Sequence, residues 1–211
     1  MVYNIHDVMR DVRVCLDQNM TSEQLLQTDD IDTLALDDII RSKILEAVVR
    51  VHTNAPTYLL EQGHNFGDAV YWGNLESGWV LLPQDFMRLI VFEMSDWERS
   101  VFTAISTIDP EYELQRQRIK ALRGTAQKPV CVISVRPEGR ALEFYSCKSE
   151  SAYVRRAQYL PYPKIDKDEG IDICERCYTG VVYAAASLVL LTLGEAEKSS
   201  ALSEISKTAL Q

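Results

Sequence analysis

The chain has 211 residues, of which 46% are hydrophobic and 25% charged, and these ordinary globular values exclude global disorder. Its formal net charge is −9. A strong grip on nucleic-acid phosphates is therefore not expected, because that affinity comes from Lys and Arg side chains that displace counterions. The length predicts one sizeable domain, or a helical layer with an inserted β subdomain.

The five cysteines have irregular spacing and an odd count, which predicts reduced thiols in a cytosolic setting. Residues 1–14 alternate charged and apolar side chains, so no signal peptide is predicted. The longest uncharged stretch, 177–194, contains polar residues and is short for a bilayer crossing, which takes roughly 20 predominantly apolar residues. We interpret it as a buried helix and expect no membrane contact.

Two helices are predicted before residue 57. Asn4 can cap the first helix, and Asp37 or Asp38 the second, which is expected to end near Pro56. The predicted apolar stripe of the first helix consists of Ile5, Val8, Met9, Val12, Cys15 and Leu16. The predicted inward residues of the second are Ile40, Ile44, Ala47, Val48 and Val51.

The stretch between these helices is strongly acidic. From Val14 to Ile40 the sequence contains no Lys or Arg. We call residues 17–38 the acidic connector, after its seven acidic residues, which are Asp17, Glu23, Asp29, Asp30, Asp32, Asp37 and Asp38.

Strand patterns dominate from residue 57 onwards. Segments 69–72 and 79–82 flank turn residues and predict a hairpin. Pro83 then sets the start of a buried strand, in which Arg88 needs a carboxylate partner or an edge facing another subunit. The extended chain is expected to continue through residues 94–102.

Asp109, Pro110 and Glu111 predict a helix start, because Asp can cap, Pro fits the first position and an acidic side chain suits the first turn. We expect this helix to run to Arg123 and to stop at Gly124. Its predicted packing residues are Tyr112, Ile119 and Leu122.

A clear hairpin follows, with strands 130–135 and 141–146, and then one more strand at 152–160. The chain is expected to finish with a central helix over 178–193 and an amphipathic continuation. The predicted inward residues of that continuation are Ala201, Leu202, Ile205 and Ala209.

Together these elements predict an α+β fold, in which N- and C-terminal helices form a bundle around a central antiparallel β subdomain. The predicted first part of the helical layer is 1–56. The β subdomain with one short helix is 57–165, and the helices that complete the layer are 166–211.

Patterns typical of catalysis are sparse. Cys174 and Cys177 form a CxxC pair, which in a redox protein has one thiol of lowered pKa at a helix N-terminus. Buried thiols are the favoured interpretation, because the preceding βαβ strand and a second pair of zinc ligands are missing. His6, His52 and His64 lack metal-ligand spacing, and no glycine-rich phosphate loop is present. The sequence therefore predicts no enzyme, no cofactor and no metal.

Charge and aromatic content point to interfaces instead. The basic run of the predicted helix 110–123 consists of Arg116, Arg118, Lys120 and Arg123. Such a run is commonly a solvated face, but here it is complementary to residues 29–38 of the acidic connector if subunits meet. Most aromatic residues between 71 and 97 are expected in the core, and an exposed ring among them would anchor an interface. The candidate interface residues are Arg88, Trp97, Arg116 and Arg118, together with Asp29, Asp30 and Asp32.

The order of elements resembles the head-to-tail adaptor (connector) proteins of tailed bacteriophages, including the tubular tail and head-completion proteins of short-tailed phages. The resemblance covers nearly the whole chain. It rests on the two N-terminal helices, Leu82-Pro83-Gln84-Asp85-Phe86-Met87-Arg88-Leu89 followed by Trp97, Asp109-Pro110-Glu111-Tyr112 before a Gln/Arg-rich helix, Lys128-Pro129-Val130-Cys131, and an Ala-rich C-terminal helix with a charged tail.

The resemblance implies a structural protein of the virion neck, made in the host cytoplasm. It would form a homo-oligomeric ring between the portal protein and an adjacent tail or second adaptor protein. The resemblance implies that this ring is a dodecamer. The helices would border the channel through which double-stranded DNA passes, and carboxylates there would repel phosphates and let the DNA slide. Two alternatives stay open, a small cytosolic thiol or redox enzyme that uses the CxxC pair, and a generic protein-interaction module.

Overall fold

The computed structural model describes residues 1–16, 35–60, 63–73, 76–117, 119–145, 147 and 150–211, with only the backbone of Lys120. It contains helices at both ends of the chain and antiparallel and mixed sheets between them, which confirms the predicted α+β class. The chain divides into two compact units. The helical unit comprises Met1–Gln62 and Tyr162–Gln211, and the β unit comprises Gly63–Pro161.

The elements are labelled in chain order. They are β1 (Val2–Asn4), α1 (Ile5–Cys15), α2 (Leu36–Asn54), β2 (His64–Asn65), β3 (Tyr71–Trp72), β4 (Ser77–Leu81), β5 (Phe86–Met94), β6 (Ile105–Ser106), α3 (Pro110–Gln115), β7 (Val130–Arg136), β8 (Gly139–Tyr145), β9 (Val154–Pro161), β10 (Gly170–Asp172), α4 (Tyr178–Thr192) and α5 (Ala196–Thr208). Short 3₁₀ turns occur at Thr57–Leu59, Lys120–Leu122 and Glu175–Cys177.

Helices α1 and α2 follow their local signals closely. The Asn4 side chain accepts a hydrogen bond from the His6 backbone N–H at 2.9 Å, so the predicted cap of α1 is confirmed. Helix α2 begins after Ala35, and the prediction that Asp37 or Asp38 caps it is wrong. Asp37 and Asp38 lie two and three positions after Ala35, in the first turn, where their carboxylates interact favourably with the helix dipole. The predicted inward residues of α2 are all buried.

Helix α4 is the centre of the helical unit and packs against α1, α2 and α5. Gly194, with φ +86°, reverses the chain into α5. Ser187 and Ser199 face each other across the two helices, and the hydroxyl of each donates to the other's backbone carbonyl at 2.8 Å. The Ser206 hydroxyl donates to the Gly180 carbonyl at 2.7 Å.

The predicted inward face of the last helix is wrong in part. Ser199 and Ser206 are the buried residues of α5, whereas Ala201 and Ile205 are exposed. Small side chains bring the helices close together, and their hydroxyls satisfy the carbonyls there, so the apolar pattern alone does not identify this face.

The β unit contains two sheets, ordered β2-β9-β5 and β3-β4-β8-β7-β6. The predicted hairpins β3–β4 and β7–β8 are confirmed, the second with a register from Val130↔Tyr145 to Arg136↔Gly139. All pairs in these sheets are antiparallel except β6 with β7, which are parallel.

The extended continuation predicted after β5 is wrong. The chain turns at Ser95 and Asp96, and Val101 returns to pair with Phe92 through two backbone hydrogen bonds of 2.8 Å. This turn brings Trp97 back into the core of the β unit, where it lies edge-on to Phe92 and Phe144 at ring-centroid distances of 5.7 and 6.3 Å. Burying the large indole ring of Trp97 stabilises the fold more than extending the strand would.

Candidate assembly interface

The connection that follows β6 exposes large apolar side chains on a folded segment of the β unit. We call residues 107–124 the arm. Ile108 is 90% exposed, Ile119 60%, Leu122 46% and Leu114 43%. A single exposed apolar residue needs no explanation, but four within one connection mark a candidate interaction surface.

The arm starts as predicted and ends differently. The Asp109 carboxylate accepts a hydrogen bond from the Glu111 backbone N–H at 3.0 Å, and Pro110 opens the helix, which confirms the predicted start. Helix α3 stops at Gln115, so the prediction of one helix as far as Arg123 is wrong. Ile119 and Leu122 were expected to pack inward, and that expectation is also wrong.

The side chain of Gln115 explains the early end of the helix. It is only 3% exposed. Its amide nitrogen donates to the Glu111 carbonyl at 3.2 Å, and its amide oxygen accepts from the Gly124 N–H at 2.7 Å. We call these two hydrogen bonds of Gln115 the clamp. The clamp joins the end of α3 to the end of the arm, so the chain between them forms a loop and does not continue as a straight helix.

A second contact holds the arm on the sheet. Tyr112 packs against the small cluster formed by Val130, Val132 and Tyr145, to which Ile105 also contributes. Tyr112 and Gln115 therefore anchor the arm, while its other large apolar side chains are exposed. The exposed apolar residues thus belong to a segment that packs against the folded β unit.

The candidate interface residues named from the sequence fall in different places. Arg116 is exposed on the arm, 3.8 Å from the Glu113 carboxylate and with its guanidinium 5.8 Å from the Tyr112 ring centroid. Arg118, Asp29, Asp30 and Asp32 lie outside the described residues. The pairing of the basic run with the acidic connector stays a prediction.

Arg88 and Trp97 are further from an open surface. Arg88 is half-buried in β5, opposite Leu160 in register, and already takes part in an interaction within the chain. Its position at a subunit boundary stays a prediction. Trp97 is 5% exposed in the core, so its ring stabilises the β unit and is not an exposed anchor.

A ladder of interacting side chains, which no pattern in the sequence predicts, lies on the face of the larger sheet. Arg136 lies over the Trp79 ring at 4.8 Å, and Trp79 stacks on Tyr71 at 4.2 Å. Arg136 also pairs with Glu143 at 2.8 Å, and the Tyr145 hydroxyl donates to the same carboxylate at 2.6 Å. Burial and the Glu143 carboxylate raise the pKa of Tyr145. Because the charges compensate one another, this ladder is structural.

A shallow pocket of about 300 Å³ lies at the end of this sheet. Tyr71, Leu81, Leu82 and Pro83 line one side, and residues 65–69 line the other. Among the described residues of its lining, Asp68 is the one carboxylate, and no second acid or base stands beside it there.

The CxxC pair lies inside the helical unit. Cys174 and Cys177 are 1% and 0% exposed, as the buried-thiol interpretation predicts. The Cys174 backbone N–H donates to Nε2 of His52 at 3.3 Å. Burial lowers the pKa of His52 to about 4, so the ring is neutral near pH 7 and can accept this bond.

Among the residues that the structure describes, no group of three or more His, Cys, Asp or Glu side chains could hold a metal ion. Within those same ranges, no helix combines the length and apolarity that a bilayer crossing requires.

Known proteins offer no closer definition of the surface. No protein-family model matches the chain, and a search of curated proteins finds no match.

Proposed function

We propose that the protein is a structural, ring-forming adaptor of a tailed-phage neck, placed between the portal protein and the next component of the tail. The observation that supports this proposal is the arm. Four of its large apolar side chains, Ile108, Leu114, Ile119 and Leu122, are between 43% and 90% exposed to solvent. A monomeric protein rarely keeps such a surface exposed, whereas a subunit of an assembly buries it against a neighbour.

The order of the elements supports the choice of a neck adaptor among possible assemblies. The helical unit would border the DNA channel, and the β unit would meet the neighbouring ring. A net charge of −9 suits this task, because a predominantly acidic channel repels phosphates and allows double-stranded DNA to pass without adhering. No residue is assigned a catalytic role.

A ring also accounts for the arm without requiring the arm to contact a second copy of itself. In a closed ring each subunit uses two different patches, one to contact the preceding copy and one to contact the following copy. The arm would supply one of these patches, and a different part of the neighbouring copy would cover it. Rotation about the ring axis then repeats the same contact until the ring closes.

Mass photometry and negative-stain electron microscopy of the purified full chain, alone and with a portal protein, test the proposal. The expected result is a discrete ring. A chain that remains strictly monomeric in both conditions contradicts it. The double variant Ile108→Ser with Ile119→Ser should reduce ring formation, and Val135→Ser, which changes a residue that is 84% exposed outside the arm, serves as the matched control.

The thiol alternative makes a different prediction. If Cys174 and Cys177 carried a redox activity, replacing both by Ser would abolish it. In an adaptor the same double variant changes stability alone, because both side chains are buried in the helical unit. Thiol–disulfide exchange assays on the wild type and the double variant separate the two functions.

A further inference from the structure

We propose that the arm binds the acidic connector of a neighbouring copy of this chain, an inference that rests on the proposed ring. The site is the exposed side of the arm, and the occupant is residues 17–38 of the next subunit. The contact would combine burial of the four apolar arm residues with attraction between opposite charges.

The arm and the acidic connector carry complementary charges. The arm's sequence contains four basic residues and two acidic ones besides the capping Asp109, although the chain as a whole is acidic. The acidic connector has seven acidic residues and no basic one. Asp37 already pairs with Arg13 of the same chain at 2.6 Å, so six carboxylates are counted for the partner. Of the arm's cations, Arg116 is exposed, and its nearest carboxylate, Glu113, is 3.8 Å away in a solvent-exposed pair that holds it only weakly. Its charge therefore remains available to a partner.

The apolar residues of the acidic connector also suit the arm. The acidic connector is not merely a charged stretch, because it also contains Leu25, Leu26, Ile31 and Leu34. A segment that mixes carboxylates with large aliphatic residues matches a surface that mixes Arg with Ile and Leu. A purely polar partner would leave Ile108 and Ile119 exposed, and a purely apolar one would desolvate Arg116 without compensation.

The base of the arm is already ordered in the single chain. Gln115 and Tyr112 fix the base of the arm before any partner arrives. A surface that is already ordered loses little conformational entropy on binding, so even a modest contact area can stabilise a ring in which the contact is repeated.

A cross-linking experiment with two separate variants tests the contact. Ile119→Cys and Leu26→Cys are prepared as different full-length proteins, each with Cys15→Ser because Cys15 is the one native cysteine that is not fully buried. The proteins are mixed, allowed to assemble and treated with a short bis-maleimide. Neither protein carries both new cysteines, so a product that joins residue 119 to residue 26 can form only between copies.

The expected result is this mixed dimer, identified by peptide mass spectrometry, at a yield at least about tenfold above that of Val135→Cys mixed with Leu26→Cys. Rings that form without the product overturn the inference and leave the proposed function standing. If neither rings nor product form, with or without a portal protein, both proposals fail. A product that appears only when one chain carries both cysteines also overturns the inference, because it shows a contact within a single copy.

Charge exchange supplies an independent test. Arg116→Asp should weaken ring assembly roughly fivefold to tenfold, since a favourable pair becomes repulsive. Adding Asp30→Arg should restore at least half of the loss, and adding Asp7→Arg, which reverses an exposed carboxylate outside the connector, should not. Equal rescue by both second changes would reduce the effect to net charge and overturn the assignment to the connector.

Discussion

The amide oxygen of Gln115 accepts a hydrogen bond from the backbone N–H of Gly124 at 2.7 Å, and this bond closes the arm into a loop. The two residues are nine positions apart, and α3 ends at the residue whose side chain makes this bond. The candidate interface therefore depends on a residue that does not itself lie on the surface.

Replacing Gln115 by Ala should lower the free energy of unfolding by about 1 kcal/mol, because the half-buried Gly124 N–H loses its acceptor. It should also increase hydrogen exchange throughout the arm. Urea unfolding and exchange mass spectrometry measure the two effects. Gln117→Ala is the matched control, because Gln117 is exposed, and a loss of the same size there would contradict the role of the clamp.

The pH dependence of stability should report His52. Its pKa falls from 6.5 to about 4 on folding, mainly because of burial, with Asp172 acting in the opposite direction. The unfolded chain therefore takes up this proton more readily. The stability contributed by the neutral ring is complete above pH 6.5 and is lost as the pH falls towards 4. Between about pH 7.5 and 4.5 the loss should reach about 2–3 kcal/mol.

A comparison of variants isolates this contribution. His52→Gln keeps an acceptor for the Cys174 N–H but removes the titration, so its unfolding free energy should change less across the same pH range. His64→Gln, at an exposed position in β2, should retain the wild-type profile. Identical profiles for the wild type and His52→Gln would exclude His52 as the source.

Gly78→Ala should strongly destabilise the β unit. A Cβ at this position would lie 2.5 Å from Cζ of Phe144 and 3.0 Å from the backbone oxygen of Tyr71. Phe144 is fully buried, and the carbonyl belongs to the paired strand, so neither can move away easily. We expect a loss of about 1–3 kcal/mol in thermal or urea unfolding.

The control is Gly73→Ala in the same hairpin, where the nearest atom would be the Ser77 hydroxyl oxygen at 3.2 Å. A hydroxyl can rotate away, so this change should cost clearly less. If Gly73→Ala were the more damaging of the two, the packing of Gly78 against Phe144 would not be the dominant constraint.

The paired serines between α4 and α5 should show coupling. Ser187→Ala and Ser199→Ala each remove one donor to a carbonyl of the facing helix, and each should cost about 1 kcal/mol. Because the two hydroxyls also lie 3.1 Å apart, the double variant should deviate from additivity by about 0.5 kcal/mol or more. Strict additivity in a double-mutant cycle would show that the two bonds act independently.

Local signals in the sequence were sufficient for some elements. Asn4 and Asp109 cap their helices, and the β7–β8 hairpin forms around its turn, because each depends on neighbouring residues. The end of α3 could not be predicted this way, since Gln115 reaches Gly124 only after the chain has looped back. The serine face of α5 required knowledge of the facing helix.

The candidate interface was only partly foreseen. The sequence indicated Arg116 as an interface residue, but Ile119 and Leu122 looked like packing residues because they are large and apolar and fall within a helical pattern. Their exposure follows from the loss of that helix after Gln115. Hydrophobicity identifies what needs to be covered, and tertiary structure decides whether the same chain provides the cover.

The parallel pairing of β6 with β7 has a consequence for how this protein can vary. Two parallel neighbours cannot be joined by a tight turn, so the chain must cross back over the length of the pair before β7 begins. The arm is most of that crossover. Insertions and side-chain changes on its outer side leave the sheet intact, whereas shortening it to a few residues would force β6 to leave the sheet or reverse its direction. The same stretch that is open to variation in its contacts is thus fixed in its minimum length.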